Sequence, residues 1–187
     1  MPALLMPREE VLDRLMAAFR KHGYDGASLA ELSKRTGLGK SSLYHHFPGG
    51  KEQMAVDVLA HLDRTLGPVF AQLSNGRPAD AKLAALLDAV SAFYGEGKTA
   101  CLLERLCASA DRGRFARPLR AAFAAFMAAF ERVCREAGLP PATARARAES
   151  AVVRIEGALV VAAGTGDTGV FTRTLRDLRE TLLDASA

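Results

Sequence analysis

The chain reads as an all-α protein of nine helices in two domains, and three observations carry that reading. Apolar residues recur at helical spacing along nearly the whole length, and no run alternates apolar and polar residues as a strand would. The breaks between these runs fall at glycine and proline. The composition suits helices: alanine is abundant, tryptophan is absent, and 49% of the 187 residues are hydrophobic. That apolar fraction supports a packed core and argues against disorder. The length allows a headpiece of about fifty residues and a second helical domain with its own core. The expected domains are 1–52 and 53–187.

Taken in order, 8–22 is a first helix, with Leu12, Leu15, Met16 and Phe19 on one stripe and Gly23 ending it. Residues 28–47, SLAELSKRTGLGKSSLYHHF, make a helix, a tight turn and a second short helix. Ser28 is an N-cap, and Glu31 three residues on completes a capping box. Leu29 and Leu32 share a face. Gly37 follows the helix end, where a left-handed backbone needs no side chain, and Leu38 closes the turn with an apolar contact. Gly39, Lys40, Ser41 and Ser42 open the second helix, anchored by Leu43 and Phe47. Pro48, Gly49 and Gly50 form a turn. Lys51 opens a long fourth helix with Met54, Val58, Leu59 and Leu62 inward. Pro68 is expected to kink or break it near Gly67, and Ser74, Asn75 and Gly76 to end it. A fifth helix spans 78–94, bounded by Gly95 and Gly97, and a sixth spans 99–110. After the Asp111-Arg112-Gly113 turn, Pro118 sits at the start of a seventh that runs to about 137. Pro140 and Pro141 open an eighth over 142–163. Gly164, Gly166 and Gly169 make a loop before a ninth over 170–185.

The helix pair at 28–47 carries the chemistry. A short helix that exposes Lys40, Ser41 and Ser42 on its first turn suits a DNA groove. Lysine meets phosphate or guanine acceptors, and hydroxyls bond bases or phosphates. Tyr44 and His45 on the next turn reach the backbone, while His46 fits either packing or contact. Ser28 joins the candidate contacts, and Lys51 at a helix start suits a phosphate. This is a helix-turn-helix arrangement for double-stranded DNA. Net charge is +4. Up to Gln53 there are eight basic residues against six acidic ones, so binding would rest on placed contacts and less on a broad basic field. Arg112, Arg114, Arg117 and Arg120 form a separate basic cluster that reads as a solvated or salt-bridged turn and helix start, and a second DNA contact is not expected of it.

Other classes find no support. No nucleophile–base pair, paired carboxylates or cofactor fingerprint points to an enzyme, and no cofactor is implied. Cys101, Cys107 and Cys134 show no metal spacing with His22, His45, His46 and His61. An odd cysteine count fits a reducing cytoplasm. The three thiols leave open a redox-sensing regulator as an alternative. Residues 1–6 are too short an apolar run for a secretory signal, and no stretch is long and apolar enough for a membrane span. A cytoplasmic location is expected.

In the second domain, aromatic and sulfur side chains recur at helical spacing. They fit either an ordinary core or the wall of an apolar ligand pocket. The candidate lining is His61, Phe70, Tyr94, Cys107, Phe123 and Met127. On the eighth helix Ala148, Val152, Ile155, Leu159 and Ala162 step by four and three, and on the ninth Phe171, Leu175, Leu178 and Leu182 do the same. Doubled by a two-fold axis, such seams make a four-helix dimer interface, for which Val152, Ile155, Leu159, Leu175, Leu178 and Leu182 are the candidates. Alternatively they close the core of a single chain.

The run GYDGASLAELSKRTGLGKSSLYHHFPGGKEQ, residues 23–53, resembles the DNA-binding end of the TetR family of transcriptional repressors. The elements that carry it are Gly23-Tyr24, the hydroxyl of Ser28, Leu43-Tyr44-His45-His46-Phe47 and Lys51-Glu52. The resemblance implies a nine-helix, two-domain plan and a homodimer on a palindromic operator. It also implies a pocket enclosed by the fourth to seventh helices, where a small hydrophobic effector triggers release. In the family Lys40, Ser41 and Ser42 match base- and phosphate-reading positions, Tyr44 and His45 match backbone contacts, and Lys51 matches a lysine at the start of the fourth helix. One departure is the second glycine between Pro48 and Lys51. The FPGGKE form is similar to a subgroup that includes repressors of multidrug efflux pumps.

Overall fold

A computed structural model describes residues 6–71 and 76–184, with the backbone alone for 68–71. Among the described residues there are nine α-helices and no strand. They are α1 (Arg8–Gly26), α2 (Leu29–Thr36), α3 (Lys40–His46), α4 (Gly50–Ala71), α5 (Ala79–Phe93), α6 (Leu102–Cys107), α7 (Ala116–Glu136), α8 (Pro141–Thr165) and α9 (Gly169–Thr181). A 3₁₀ turn, Arg112–Phe115, lies between α6 and α7. The all-α, nine-helix plan is the one the periodicity predicts.

The chain folds as two compact units, Met1–Thr65 with Leu102–Arg120, and Leu66–Cys101 with Ala121–Ala187. The expected headpiece, 1–52, lies inside the first. The grouping differs from a single division at 52/53, because α6 packs on α1 and brings the segment to Arg120 with it.

In the first unit, Val11, Leu12, Leu15 and Phe19 of α1 are buried with Leu32, Leu43, Phe47, Met54, Val58 and Leu59. Gly23 takes φ 68° and ψ 179°, a left-handed conformation that interrupts α1 before its last turn to Gly26. The interruption turns Tyr24 inward. Its ring lies 6.1 Å from that of Phe19 and meets Phe115 edge-on at 4.8 Å. Two expectations are corrected here. α4 does not break near Gly67 but continues through Pro68 to Ala71. The sixth helix is shorter than 99–110, and the chain after Cys107 tightens into turns and the 3₁₀ segment. Ser74 and Asn75, expected to end α4, lie outside the described residues.

In the second unit, α9 packs on both α8 and α5. The core holds Leu83, Leu86 and Leu87 of α5, Phe130 and Val133 of α7, Ile155 and Leu159 of α8, and Phe171 and Leu178 of α9. Lys82 of α5 is buried, and its ammonium meets the Glu136 carboxylate at 2.5 Å. The turn after α5 depends on Gly97, at φ 89°. A Cβ there would come within 2.8 Å of the Phe171 Cβ.

The six residues expected at a dimer seam are buried within one chain. Val152, Ile155, Leu159, Leu175, Leu178 and Leu182 are all 7% exposed or less. They close α8 against α9 and the unit's own core, which is the alternative the periodicity left open. The face of α8 that stays open carries Val153, Val160 and Val161, which are 64%, 54% and 46% exposed.

Gly97→Ala is expected to destabilise the fold by at least about 1–2 kcal/mol, the cost of a left-handed backbone in an L-residue, with the Phe171 clash added. Denaturant unfolding measures it. Unchanged stability would mean that the turn relaxes without cost.

Candidate nucleic-acid interface

The helix-turn-helix is built by capping and by a dense set of turn hydrogen bonds. Ser28 takes an extended backbone, and its hydroxyl accepts from the Glu31 N–H at 3.2 Å, satisfying one of the orphan donors at the start of α2. The reciprocal half of the expected capping box does not form. The Glu31 carboxylate turns instead to Arg35 Nε at 3.1 Å and His22 Nε2 at 3.2 Å. The Arg35 hydrogen bond, with the nearby His22, holds the Glu31 carboxyl below the usual carboxylate range. At the other end, Gly37 adopts φ 73° and its N–H donates to the Ser33 carbonyl at 3.0 Å.

Ser33, Thr36 and Arg14 set the turn angle. The Ser33 hydroxyl donates to the Leu38 carbonyl at 2.6 Å, and the buried Thr36 hydroxyl donates to the Leu32 carbonyl at 2.8 Å. Arg14 of α1 donates to the Thr36 carbonyl at 2.8 Å. No hydrophobic period announces these three residues; only the small hydroxyls beside a C-capping glycine signal them.

α3 then presents two faces. Leu43 is fully buried, as is Phe47 just beyond the helix. Lys40, Ser41, Ser42, Tyr44 and His45 are exposed, and Tyr44 keeps 45% of its surface open. An exposed row of lysine, hydroxyls, phenol and imidazole on a helix fixed by two buried anchors can enter a groove as a rigid body. His46 is half-buried.

The end of α3 is held by residues that sequence reasoning missed. Arg8 donates to the His46 carbonyl at 2.6 Å and to Asp57 Oδ2 at 2.7 Å, and its guanidinium lies 4.5 Å from the centre of the Phe47 ring. Gln53 donates to the same Asp57 oxygen at 3.3 Å and accepts from the Gly49 N–H at 2.7 Å. The double-glycine junction is therefore tied to α4 by a side chain. Lys51 is also engaged: its ammonium donates to the Tyr24 carbonyl at 2.9 Å and lies 4.4 Å over the Tyr24 ring. Two of its three N–H bonds remain for an outside acceptor.

The candidate ligand-lining residues are divided between the two units. His61 and Cys107 belong to the first, and Tyr94, Phe123 and Met127 to the second; the Phe70 side chain lies outside the described residues. His61 is buried, with Nε2 2.8 Å from Asp13 Oδ1 and Nδ1 lacking a partner. Tyr94 is buried and donates to Cys101 Sγ at 3.4 Å. A hollow of about 500 Å³ in the second unit is lined by Ala128, Glu131, Arg132, Arg135 and Glu136, none of them a candidate. Burial pushes the Cys134 thiol up, which disfavours the reactive thiolate. No helix among the described residues is long and apolar enough to cross a membrane.

Lys40→Ala is expected to weaken binding to a specific DNA site by about 1–3 kcal/mol and to reduce discrimination against a mutated site. Competition binding on both DNAs checks it. An equal loss on both would restrict Lys40 to phosphate contact.

Comparison with known proteins places this geometry. Residues 11–58 match the bacterial regulatory proteins of the tetR family. The HTH-type transcriptional regulator LmrA of Bacillus subtilis is 44% identical over 52 residues, which span 28% of this chain and 28% of LmrA. A TetR transcriptional regulator from Legionella pneumophila superposes with a TM-score of 0.84 at 20% identity, covering 94% of this chain and 97% of that one. A cysteine mutant of the TetR family regulator CifR, complexed with 26-base-pair operator DNA, superposes at 0.64 with 24% identity over 98% of this chain and 94% of CifR. The matched stretch thus spans little more than a quarter of LmrA, while the fold likeness extends over nearly the whole chain. Residues 11–58 thus match the N-terminal DNA-binding domain of the tetR family of bacterial regulatory proteins, and the likeness of fold to TetR regulators extends over nearly the whole chain.

Proposed function

We propose that this protein is a cytoplasmic homodimeric repressor that binds a palindromic operator and releases it when a small hydrophobic effector binds. The observation that carries the DNA reading is α3, with Lys40, Ser41, Ser42, Tyr44 and His45 exposed on one side and Leu43 and Phe47 fully buried on the other. Ser28 and Lys51 flank it as backbone contacts. The CifR complex, a fold neighbour on operator DNA, supports the same partner.

A seven-residue recognition helix reads only a few base pairs, so a specific site needs two of them. Two-fold symmetry supplies the second, with recognition helices about 34–36 Å apart in successive major grooves. The open face of α8 suits the dimer contact. Val153, Gly157, Val160, Val161 and Gly164 are spaced by four, three, one and three, so they lie on one side of the helix, and all are exposed. Nothing lies within 4 Å of a Cβ built at Gly157 or Gly164, so a second backbone can approach there.

Effector control requires that the ligand bind better to the state that cannot hold the operator. By linkage, effector and operator then weaken each other's affinity by the same factor. Tyr94, Phe123 and Met127 are the candidate lining in the second unit, and an apolar, partly aromatic effector class follows from their chemistry.

Footprinting on the DNA upstream of the protein's own gene tests this function. The wild type is expected to protect two half-sites related by a dyad. Val160→Glu places a charge on the open α8 face. It should sediment as a folded monomer and lose the paired footprint. A variant that stays dimeric would move the interface elsewhere, and the absence of any sequence-dependent footprint by the wild type would overturn the function.

A further inference from the structure

We propose that Arg112, Arg117 and Arg120 form a second DNA-backbone contact surface, which extends the footprint of each subunit beyond the helix-turn-helix. The inference rests on the DNA-binding function proposed above and adds a surface to it.

The distribution of charge is the first reason. The first unit carries fourteen Lys and Arg against ten Asp and Glu, and the second carries eleven of each. The whole net charge of +4 therefore resides in the unit that holds the recognition helix. Within that unit, 1–65 is nearly neutral, with nine cations against eight carboxylates. Most of the excess comes from 102–120, where Arg105, Arg112, Arg114, Arg117 and Arg120 face only Glu104 and Asp111.

Placement is the second reason. The segment is fastened to the DNA-binding elements themselves. Asp25 accepts from the Ser109 hydroxyl at 3.0 Å and from the Ala110 N–H at 2.9 Å. Phe115 meets Tyr24, whose ring also lies under the Lys51 ammonium. Arg114 pairs with Glu52 at 2.5 Å, on the first turn of α4 and next to Lys51 in sequence. The basic segment thus adjoins the start of α4, the place where a phosphate contact is expected.

The third reason is what the arginines lack. Arg114 takes both nearby carboxylates, Glu52 and Asp111. Arg112, Arg117 and Arg120 are exposed, and their side chains make no hydrogen bond or ion pair with the described residues. Three uncompensated guanidinium groups within nine residues repel one another in the free protein. A polyanion relieves that repulsion, and the planar guanidinium matches phosphate oxygens two at a time. Such contacts fix position and add affinity but read no bases.

The test compares wild type with a triple variant, Arg112→Gln, Arg117→Gln and Arg120→Gln. It uses an operator duplex extended by about one helical turn at each end and one trimmed to the two half-sites, about ten base pairs per turn. Thermal melts confirm folding, and Arg112→Gln and Arg117→Gln singly replace the triple variant if it does not fold. On the extended duplex, the salt slope of log K is expected to fall by about 0.9 for each arginine removed from a phosphate, hence by about 5 for the six arginines of a symmetric dimer. The ratio of operator to random-DNA affinity should stay unchanged. Trimming should bring wild type toward the variant. Identical slopes for wild type and variant on the extended duplex would overturn the proposal. A wild type that shows no preference for operator over random DNA would overturn the repressor function instead, while the slope comparison on random DNA would still decide the arginines.

Discussion

The DNA-binding unit depends on how the short segment 23–25 is held. Gly23 turns the backbone, Tyr24 fills the space between Lys51 and Phe115, and Asp25 receives the chain that returns from α6. Three sequence-distant pieces, the end of α1, the start of α4 and the turn before α7, meet on two side chains. A buried ring that meets both a cation and a second aromatic ring at a steep angle makes directional contacts, which fix orientation as well as distance. The N–H of Ala110 and the hydroxyl of Ser109 hold the Asp25 carboxyl below its usual range. Since the folded value is lowered, the stabilisation is present above the ordinary carboxylate range and is lost as the pH falls through the lowered value.

Around this anchor the recognition helix is positioned without contacting its own support through many apolar groups. α3 is only seven residues long and contributes one fully buried side chain, Leu43. A helix of that length is unstable alone. Phe47, the Arg8 bonds to His46 and Asp57, and the Gln53 bond to Gly49 supply the missing constraints. On the proposed reading, affinity comes from the exposed row and orientation from its surroundings, so the two can change independently.

The helices and their order were legible because helical periodicity and glycine or proline punctuation agree along most of the chain. The motif at 28–47 was legible because its cap, its C-terminal glycine and its two anchors are local. What was not legible is long-range. Asp25 and Ala110, or Glu52 and Arg114, carry no mark in sequence that they meet, so 102–120 reads as part of a second domain and its arginines as ordinary surface. The seams of α8 and α9 read equally well as an interface or a core, since both bury an apolar stripe. Only the position of the partner helix decides, and here each seam finds its partner within the chain. Pro68 reads as a break, yet α4 continues through it.

The account stands on the claim that 102–120 belongs mechanically to the DNA-binding unit. Native-state hydrogen exchange on Asp25→Ala, compared with wild type, tests this most directly. Removing the carboxylate should speed exchange at Ala110 and across 102–115, and at 23–26 of α1, while α8 and α9 keep their wild-type protection. Unchanged protection over 102–115 would contradict the claim and return the segment to the second domain.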